Sequence, residues 1–293
     1  MLGLRYPMEV NLVGDAAATL EALLPLLDPT PDRSWREAVE ANVAASWEEA
    51  RGMAMTEADP INPQRVAHEL SQRLPERAIV CADSGTTTVW WARNLRFRRG
   101  MMGSVSGTLA TMGCAVPYGI AAKFAFPDRP AIALVGDGAM QMNGLTELIT
   151  VAKYWRAWAD PRLVVMVLNN RDLAYVTWEE RIQAGDPKWE ASQTLPDVPY
   201  AEFARLIGLG GRRVEHPDAV GPAWDEALSA DRPFVLDMVT DPNVPPLPPH
   251  ITLKQARGFM GALMAGEPEA GGILADTARQ LVGSLWPGKD GAP

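Results

Sequence analysis

The sequence predicts an α/β protein built on a parallel sheet flanked by helices, and three observations carry that prediction. Two apolar runs, Ala131–Val135 and Leu163–Leu168, are short, continuous and rich in Val, Ile and Leu, as strands buried on both faces are. An amphipathic helical segment separates them, and helix and strand alternate again from Tyr200 to Val239. Both runs stop on polar clusters, Gly136-Asp137-Gly138 and Asn169-Asn170, at the strand ends beyond which parallel sheets bind ligands.

Composition bounds the rest. The 293 residues leave room for one large domain or one domain plus pieces, and a hydrophobic fraction of 47% is ample for a core. A net charge of −9 without any basic run argues against a nucleic-acid partner. Cys81 and Cys114 lack metal-type spacing and read as small buried hydrophobes, while His68, His216 and His250 are too scattered to suggest a ligand cluster. The first residues show no secretory pattern and no apolar run is long enough for a membrane span, so a soluble, cytoplasmic protein is expected.

In chain order, Val10–Val13 reads as a short strand, and Ala16–Leu27 as a helix with Asp15 at its N-cap. One strand and one helix cannot bury a core, so residues 1–28 read either as packed on the main domain or, the favoured reading, as a remnant of a larger one. Residues 29–59 then form a proline-marked linker and a connecting helix over 33–52. The main domain, 60–243, opens at Asn62-Pro63, an N-cap and first-turn proline ahead of a helix to Leu74. Ala78–Ala82 is a strand closed by the polar turn Asp83-Ser84-Gly85-Thr86-Thr87-Thr88, a second candidate phosphate contact. Small residues crowd Gly103–Gly119, Ala110 among them, which permits close backbone approach; the segment reads as helical into Ala121–Lys123. On composition Met112 is a core residue.

Beyond Asn170 a long connection through Asp172 and Tyr175 to about residue 199 has the length of a functional loop or lid. Residues 244–293 form a Pro-rich linker, Val244–Pro249, and a helical tail of two amphipathic segments, Leu253–Met264 and Ile273–Trp286. Leu274, Ala278, Leu281, Val282 and Leu285 share one face of the second. Docking on the body is the expected use of that face, and contact with a membrane surface the less favoured one because basic charge is sparse.

The pair of strand-end clusters has a chemical reading of its own. Asp137 offers a carboxylate and Asn170 an amide oxygen, suited to a hard cation such as Mg2+, while the flanking glycines let backbone N–H groups reach a phosphate. Gly136-Asp137-Gly138 followed by Asn169-Asn170 resembles the signature of thiamine diphosphate enzymes. Ser106–Gly119 and Asp128–Gln141 resemble flanking patterns of the acetolactate synthase and pyruvate oxidase group, over about residues 60–265. The resemblance implies the diphosphate domain of the thiamine diphosphate-binding fold. By position it implies Mg2+ ligation by the Asp137 and Asn170 side chains and the Asp172 backbone carbonyl. It further implies cofactor contacts from Thr86, Ala110, Gly136, Gly138, Ala139 and Tyr175, with Met112 as the apolar support beneath a bent coenzyme. The 33-residue step from Asp137 to Asn170 is longer than the family pattern, with the surplus placed in Trp155–Pro161.

Family members also carry an N-terminal pyrimidine-binding domain whose glutamate activates the coenzyme, and nothing in this chain matches it. No catalytic residue is therefore assigned here, and the chain reads as the C-terminal half of an enzyme, inactive without its other half. A small 2-oxo acid is the implied substrate and a homo-oligomer the implied assembly. The tail Pro248-Pro249-His250 to Phe259 resembles quinone-linked pyruvate dehydrogenase, a pyruvate oxidase type in which FAD is held largely by the middle domain. Trp178-Glu179-Glu180-Arg181 resembles the substrate-selecting segment of acetolactate synthases instead, and Val176 stands where simple decarboxylases carry an acid.

Overall fold

The computed structural model describes residues 3–246 and 253–285, with backbone alone for Leu253 and residues 280–285. The chain divides into two compact units, Met1–Ala45 and Ser46–Pro293. In the first, helix α1 (Ala16–Leu23) starts where expected, the Asp15 carboxylate accepting the Ala18 N–H at 2.9 Å. The strand expected over Val10–Val13 does not form. A strand needs a ladder partner for its N–H and C=O groups, and none is at hand. The helix also stops short of Leu27, giving way to a 3-10 turn, Leu24–Leu26, at Pro25. Helix α2 (Ser34–Ala54) follows.

The second unit opens with α3 (Pro63–Arg73), where the Asn62 amide oxygen accepts the Gln64 N–H at 3.0 Å. Its sheet has six parallel strands: β1 (Ile79–Ala82), β2 (Met102–Ser104), β3 (Ala131–Gly136), β4 (Leu163–Asn169), β5 (Gly210–Val214) and β6 (Phe234–Val239). Their spatial order is β2-β1-β3-β4-β6-β5. The two apolar runs are the central strands, paired in register from Ala131 with Leu163 to Gly136 with Leu168.

Side chains alternate across this sheet, so each strand feeds two cores. Ile132, Leu134, Val164 and Met166 pack against α3, α4 (Thr86–Asn94) and α11 (Val220–Ser229), through Leu70, Trp90 and Trp224. Ala133, Val135, Val165 and Val167 pack on the opposite face against α5 (Ala115–Ala125), α7 (Leu145–Tyr154) and α10 (Tyr200–Leu206). A strand covered on both faces has no solvent side, which is why these runs read as continuous rather than alternating. Cys81 and Cys114 are both buried and unpaired by disulfide, as expected.

The small-residue stretch departs from its expected helix. Met102–Ser104 is an edge strand, residues 105–114 are irregular, and helix begins only at Ala115. Left-handed backbone at Ala110 (φ 51°) and Gly113 (φ 85°) interrupts any helical hydrogen-bond ladder there.

Two tail helices form as expected, α12 (Leu253–Met264) and α13 (Ala270–Leu285), but α13 turns a different face inward. Ile273 and Asp276 are buried while Leu274 and Ala278 are exposed. Ile273 joins a buried cluster with Trp178 and Ile182, against which Phe259 packs. The side chains of Leu281, Val282 and Leu285, and residues 248–252 of the motif that runs to Phe259, lie outside what is described. Among the described residues no helix is long and apolar enough to cross a membrane.

Candidate functional site

The chain leaves β1 toward β2 on one side of the sheet and returns to β3 on the other, so a crevice opens between the carboxyl ends of β1 and β3. A cavity of about 300 Å³ lies there. All ten residues singled out on sequence line it: Thr86, Ala110, Met112, Gly136, Asp137, Gly138, Ala139, Asn170, Asp172 and Tyr175.

Three segments build the wall. After β1, Gly85 at φ 112° and ψ −153° turns the chain so that Thr86 opens α4 facing the cavity. After β3, Asp137, Gly138 and Ala139 form α6 (Asp137–Ala139), which runs through a π-helical turn, Met140–Gly144, into α7. A Cβ on Gly138 would stand 2.6 Å from Leu173 Cδ2 and 3.5 Å from Met112 Cε, so a larger residue there would push the Leu173 side chain aside. After β4, Asn170 is followed by Arg171 in the left-handed region (φ 57°) and then by α8 (Ala174–Glu179). Trp155–Pro161, where the surplus between Asp137 and Asn170 was placed, holds a 3-10 turn, Trp155–Ala157, and the turn before β4.

Asp137 is the electrostatic centre. It is 2% exposed, and its two carboxylate oxygens accept the N–H groups of Gly138 at 2.8 Å and Arg171 at 2.6 Å. Burial pushes its carboxyl up to about 7, against those N–H groups and with help from the charge of Asp172. No cationic side chain pairs with it among the described residues. Its backbone carbonyl accepts the buried Tyr200 hydroxyl at 3.2 Å, so the loop is anchored from behind. The Asn170 amide oxygen accepts the Asp172 N–H at 3.1 Å.

Asp172 is turned away from this centre. Its carboxylate accepts the Thr177 hydroxyl at 3.0 Å and pairs with Lys188 at 3.4 Å, both carboxylate and ammonium being buried. Any contribution of Asp172 to a cation would thus come from its backbone, as the resemblance implies. Among the described residues no cluster of three His, Cys, Asp or Glu could hold a metal ion. The donor set on offer is one carboxylate, one amide and backbone oxygen. Those are hard ligands that fit Mg2+, which keeps several waters or phosphate oxygens for itself. A buried carboxylate without a cation partner is costly, and a divalent ion would relieve it.

Met112 is half-buried, lining the cavity while packing on the core cluster that includes α5. The segment Trp178–Arg181 splits in two. Glu179 and Val176 line the cavity, whereas Trp178 and Arg181 are buried toward the tail. Ser84, Gly85, Thr87, Leu168, Leu173 and Ala174 also line the wall. The strand-end turns contained Ser84, Gly85 and Thr87; Leu168 and Leu173 look like core in any local pattern.

The comparisons with known proteins can be set beside this geometry. Residues 83–238 match the family model of the thiamine pyrophosphate enzyme C-terminal TPP binding domain. The chain is 34% identical over 258 residues to the putative thiamine pyrophosphate-containing protein YdaP of Bacillus subtilis, covering 88% of this chain and 43% of that protein. It is 30% identical over 233 residues to the acetolactate synthase isozyme 3 large subunit of Escherichia coli, covering 76% and 38% respectively. The chain thus spans less than half the length of these relatives. A Rhodococcus jostii thiamine diphosphate-dependent 4-hydroxybenzoylformate decarboxylase shares the fold, with a TM-score of 0.56 at 21% identity over 64% of this chain and 34% of that one. A cavity at the switch point, a buried Asp137 with an Asn170 beside it and a family match over the same strands lead to one conclusion: the chain belongs to the thiamine pyrophosphate enzymes, and residues 83–238 are their C-terminal TPP-binding domain.

Proposed function

We propose that this chain binds Mg2+–thiamine diphosphate in the switch-point cavity and forms the diphosphate-binding half of an enzyme that decarboxylates a small 2-oxo acid. The observation that supports it most is the convergence of all ten sequence-chosen residues on one cavity around a buried, cation-free Asp137. Asp137 and Asn170 hold the cation through their side chains and Asp172 through its carbonyl. Gly138, Ala139 and Thr86 take the diphosphate, with the start of α4 directing N–H groups at it. Gly136, Ala110 and Tyr175 close the wall, and Met112 supports the coenzyme from below. When bound, thiamine diphosphate supplies the carbanion chemistry of decarboxylation. The chain's own part is to orient it and to present Val176 and Glu179 to whatever occupies the mouth of the cavity.

For the finer assignment, the resemblance of the tail favours a pyruvate oxidase type, pyruvate:quinone oxidoreductase, with FAD held elsewhere in the full-length protein. A carboligase reading is favoured by the relatives named as acetolactate synthase large subunits. The proposed setting is cytoplasmic, and the proposed assembly a homo-oligomer in which a pyrimidine domain supplies the activating glutamate.

Titrating the purified chain with thiamine diphosphate and Mg2+ by isothermal calorimetry tests the binding reading, and an absence of Mg2+-dependent binding overturns it. Pyruvate is not expected to be turned over by the chain alone; measurable decarboxylation refutes the half-site. Complemented with a pyrimidine domain, quinone reduction supports the oxidase, and acetolactate formation without electron transfer supports the carboligase.

A further inference from the structure

Within the turn Asp83-Ser84-Gly85-Thr86 the structure separates two tasks. Ser84, Gly85 and Thr86 line the cavity, but Asp83 does not; it is fully buried behind the wall. Its Oδ1 accepts the N–H groups of Ser84 and Gly113, each at 2.9 Å, and its Oδ2 accepts the N–H of Ala115, also at 2.9 Å. Gly113 directly follows Met112, and Ala115 opens α5. The segment before them has little hold of its own, chiefly the bonds from Ala110 and Thr111 back to Ser106. Besides the packing of Met112 on the core and a long Cys114 Sγ contact to the Ala82 carbonyl at 3.8 Å, the backbone next to Met112 is thus held by a carboxylate thirty residues before Gly113.

We propose that Asp83 is a positioning residue for the cofactor cavity: its carboxylate fastens the Gly113–Ala115 turn to the end of β1 and so sets where Met112 stands. The inference rests on the thiamine diphosphate reading above. Two oxygens receive three N–H groups, which a carboxylate can do and an amide cannot, since an Asn would turn NH2 toward one donor. Leaving a buried N–H unmet is costly, so the turn would shift to find another partner. Burial of Asp83 raises its carboxyl above the usual range despite those bonds, the mark of a charge kept inside at some cost. The Asp83 backbone carbonyl, untouched by substitution, still accepts the Thr87 hydroxyl at 2.9 Å, so the start of α4 keeps its anchor.

The test is Asp83→Asn in the full chain, titrated with thiamine diphosphate plus Mg2+ and, separately, with inorganic diphosphate plus Mg2+, alongside Met112→Ala. Wild type should bind both ligands. In Asp83→Asn, thiamine diphosphate affinity should fall roughly 10–100-fold, the range for a residue acting through its neighbour. Inorganic diphosphate affinity should stay within about threefold, because the anchor around Asp137 and Asn170 sits on other strands and Thr86 keeps the hold that the Asp83 carbonyl gives the start of α4. Met112→Ala should reproduce this split. Unchanged affinities, or equal losses for both ligands, overturn the proposal. Hydrogen exchange on wild type provides an arm that needs no variant. The Gly113 and Ala115 amides should exchange as slowly as those of β1, and exchange as fast as at Thr108 and Leu109 overturns the fastening. A wild-type chain that binds neither ligand overturns the cofactor reading itself, and the inference with it.

Discussion

Gly85 and Asp137 show how single residues hold the site in shape. Gly85 has φ 112° and ψ −153°, a region essentially closed to any residue with a Cβ, although a Cβ there would meet nothing nearer than 3.9 Å. Gly85→Ala should thus cost about 1–3 kcal/mol of stability through backbone strain alone, read from urea unfolding. An unchanged midpoint would show that the turn relaxes freely. Asp137→Asn keeps the size of the side chain and removes the charge. It should weaken Mg2+-dependent cofactor binding by more than the roughly 10–100-fold expected of an outer partner, measured by calorimetry. These residues were legible in the sequence because they close apolar runs at the strand ends beyond which parallel sheets bind ligands, and because together they match the family's signature. Asp83 was legible as part of a turn but not as a fastener, because the amides it serves are remote in the chain.

At the scale of elements, the tail helices pack on the segment that lines the cavity. Arg181 makes a bidentate pair with Glu267, at 3.0 and 2.8 Å, with both side chains 1% exposed. Trp178 stacks on Phe259 with ring centres 6.1 Å apart, and Gly258 lies so close to the Ile182 carbonyl that a Cβ would stand 2.4 Å from it. Glu267→Gln would leave the buried guanidinium with Glu269, at 3.4 Å, as its remaining carboxylate. It should cost up to about 3–5 kcal/mol, seen as earlier urea unfolding and faster proteolysis within the tail.

A second contact of the tail depends on pH. Asp241, just beyond β6, has its carboxyl pushed up to about 6 by burial first and by the charge of Asp276 on α13, against N–H groups of Asn243 and Asp59. Arg279 pairs with Asp276 from the same helix. The folded value lies above the unfolded one, so this contribution to stability is complete below about pH 4 and is lost as pH rises through about 6. The thermal midpoint of wild type should carry a downward component over that window. Asp276→Asn should reduce it, and an identical pH profile in the variant would refute the coupling.

At the scale of the molecule, the first unit carries apolar side chains without a core of its own. Leu20, Leu23, Leu24 and Leu27 are exposed, and no residue of α1 is buried. Exposed apolar side chains, where contiguous, mark interaction surfaces. Replacing Leu20, Leu23 and Leu27 with Ser should therefore reduce self-association in light scattering; equal association would remove the role of this surface.

By itself the sequence determined the sheet's central strands, most helices and the strand-end residues of the site, because hydrophobic period and strand-end punctuation act between near neighbours in the chain, whereas Ala110, Met112 and Tyr175 entered through the family resemblance alone. Only the tertiary structure decided that 103–114 is strand and irregular chain, that α13 docks through Ile273, and that Trp178 and Glu179 face opposite ways. Each of those outcomes depends on partners far along the chain: Asp83 with Gly113 and Ala115, Arg181 with Glu267, Trp178 with Phe259. Such pairings form only when folding brings the segments together, and no local pattern announces them.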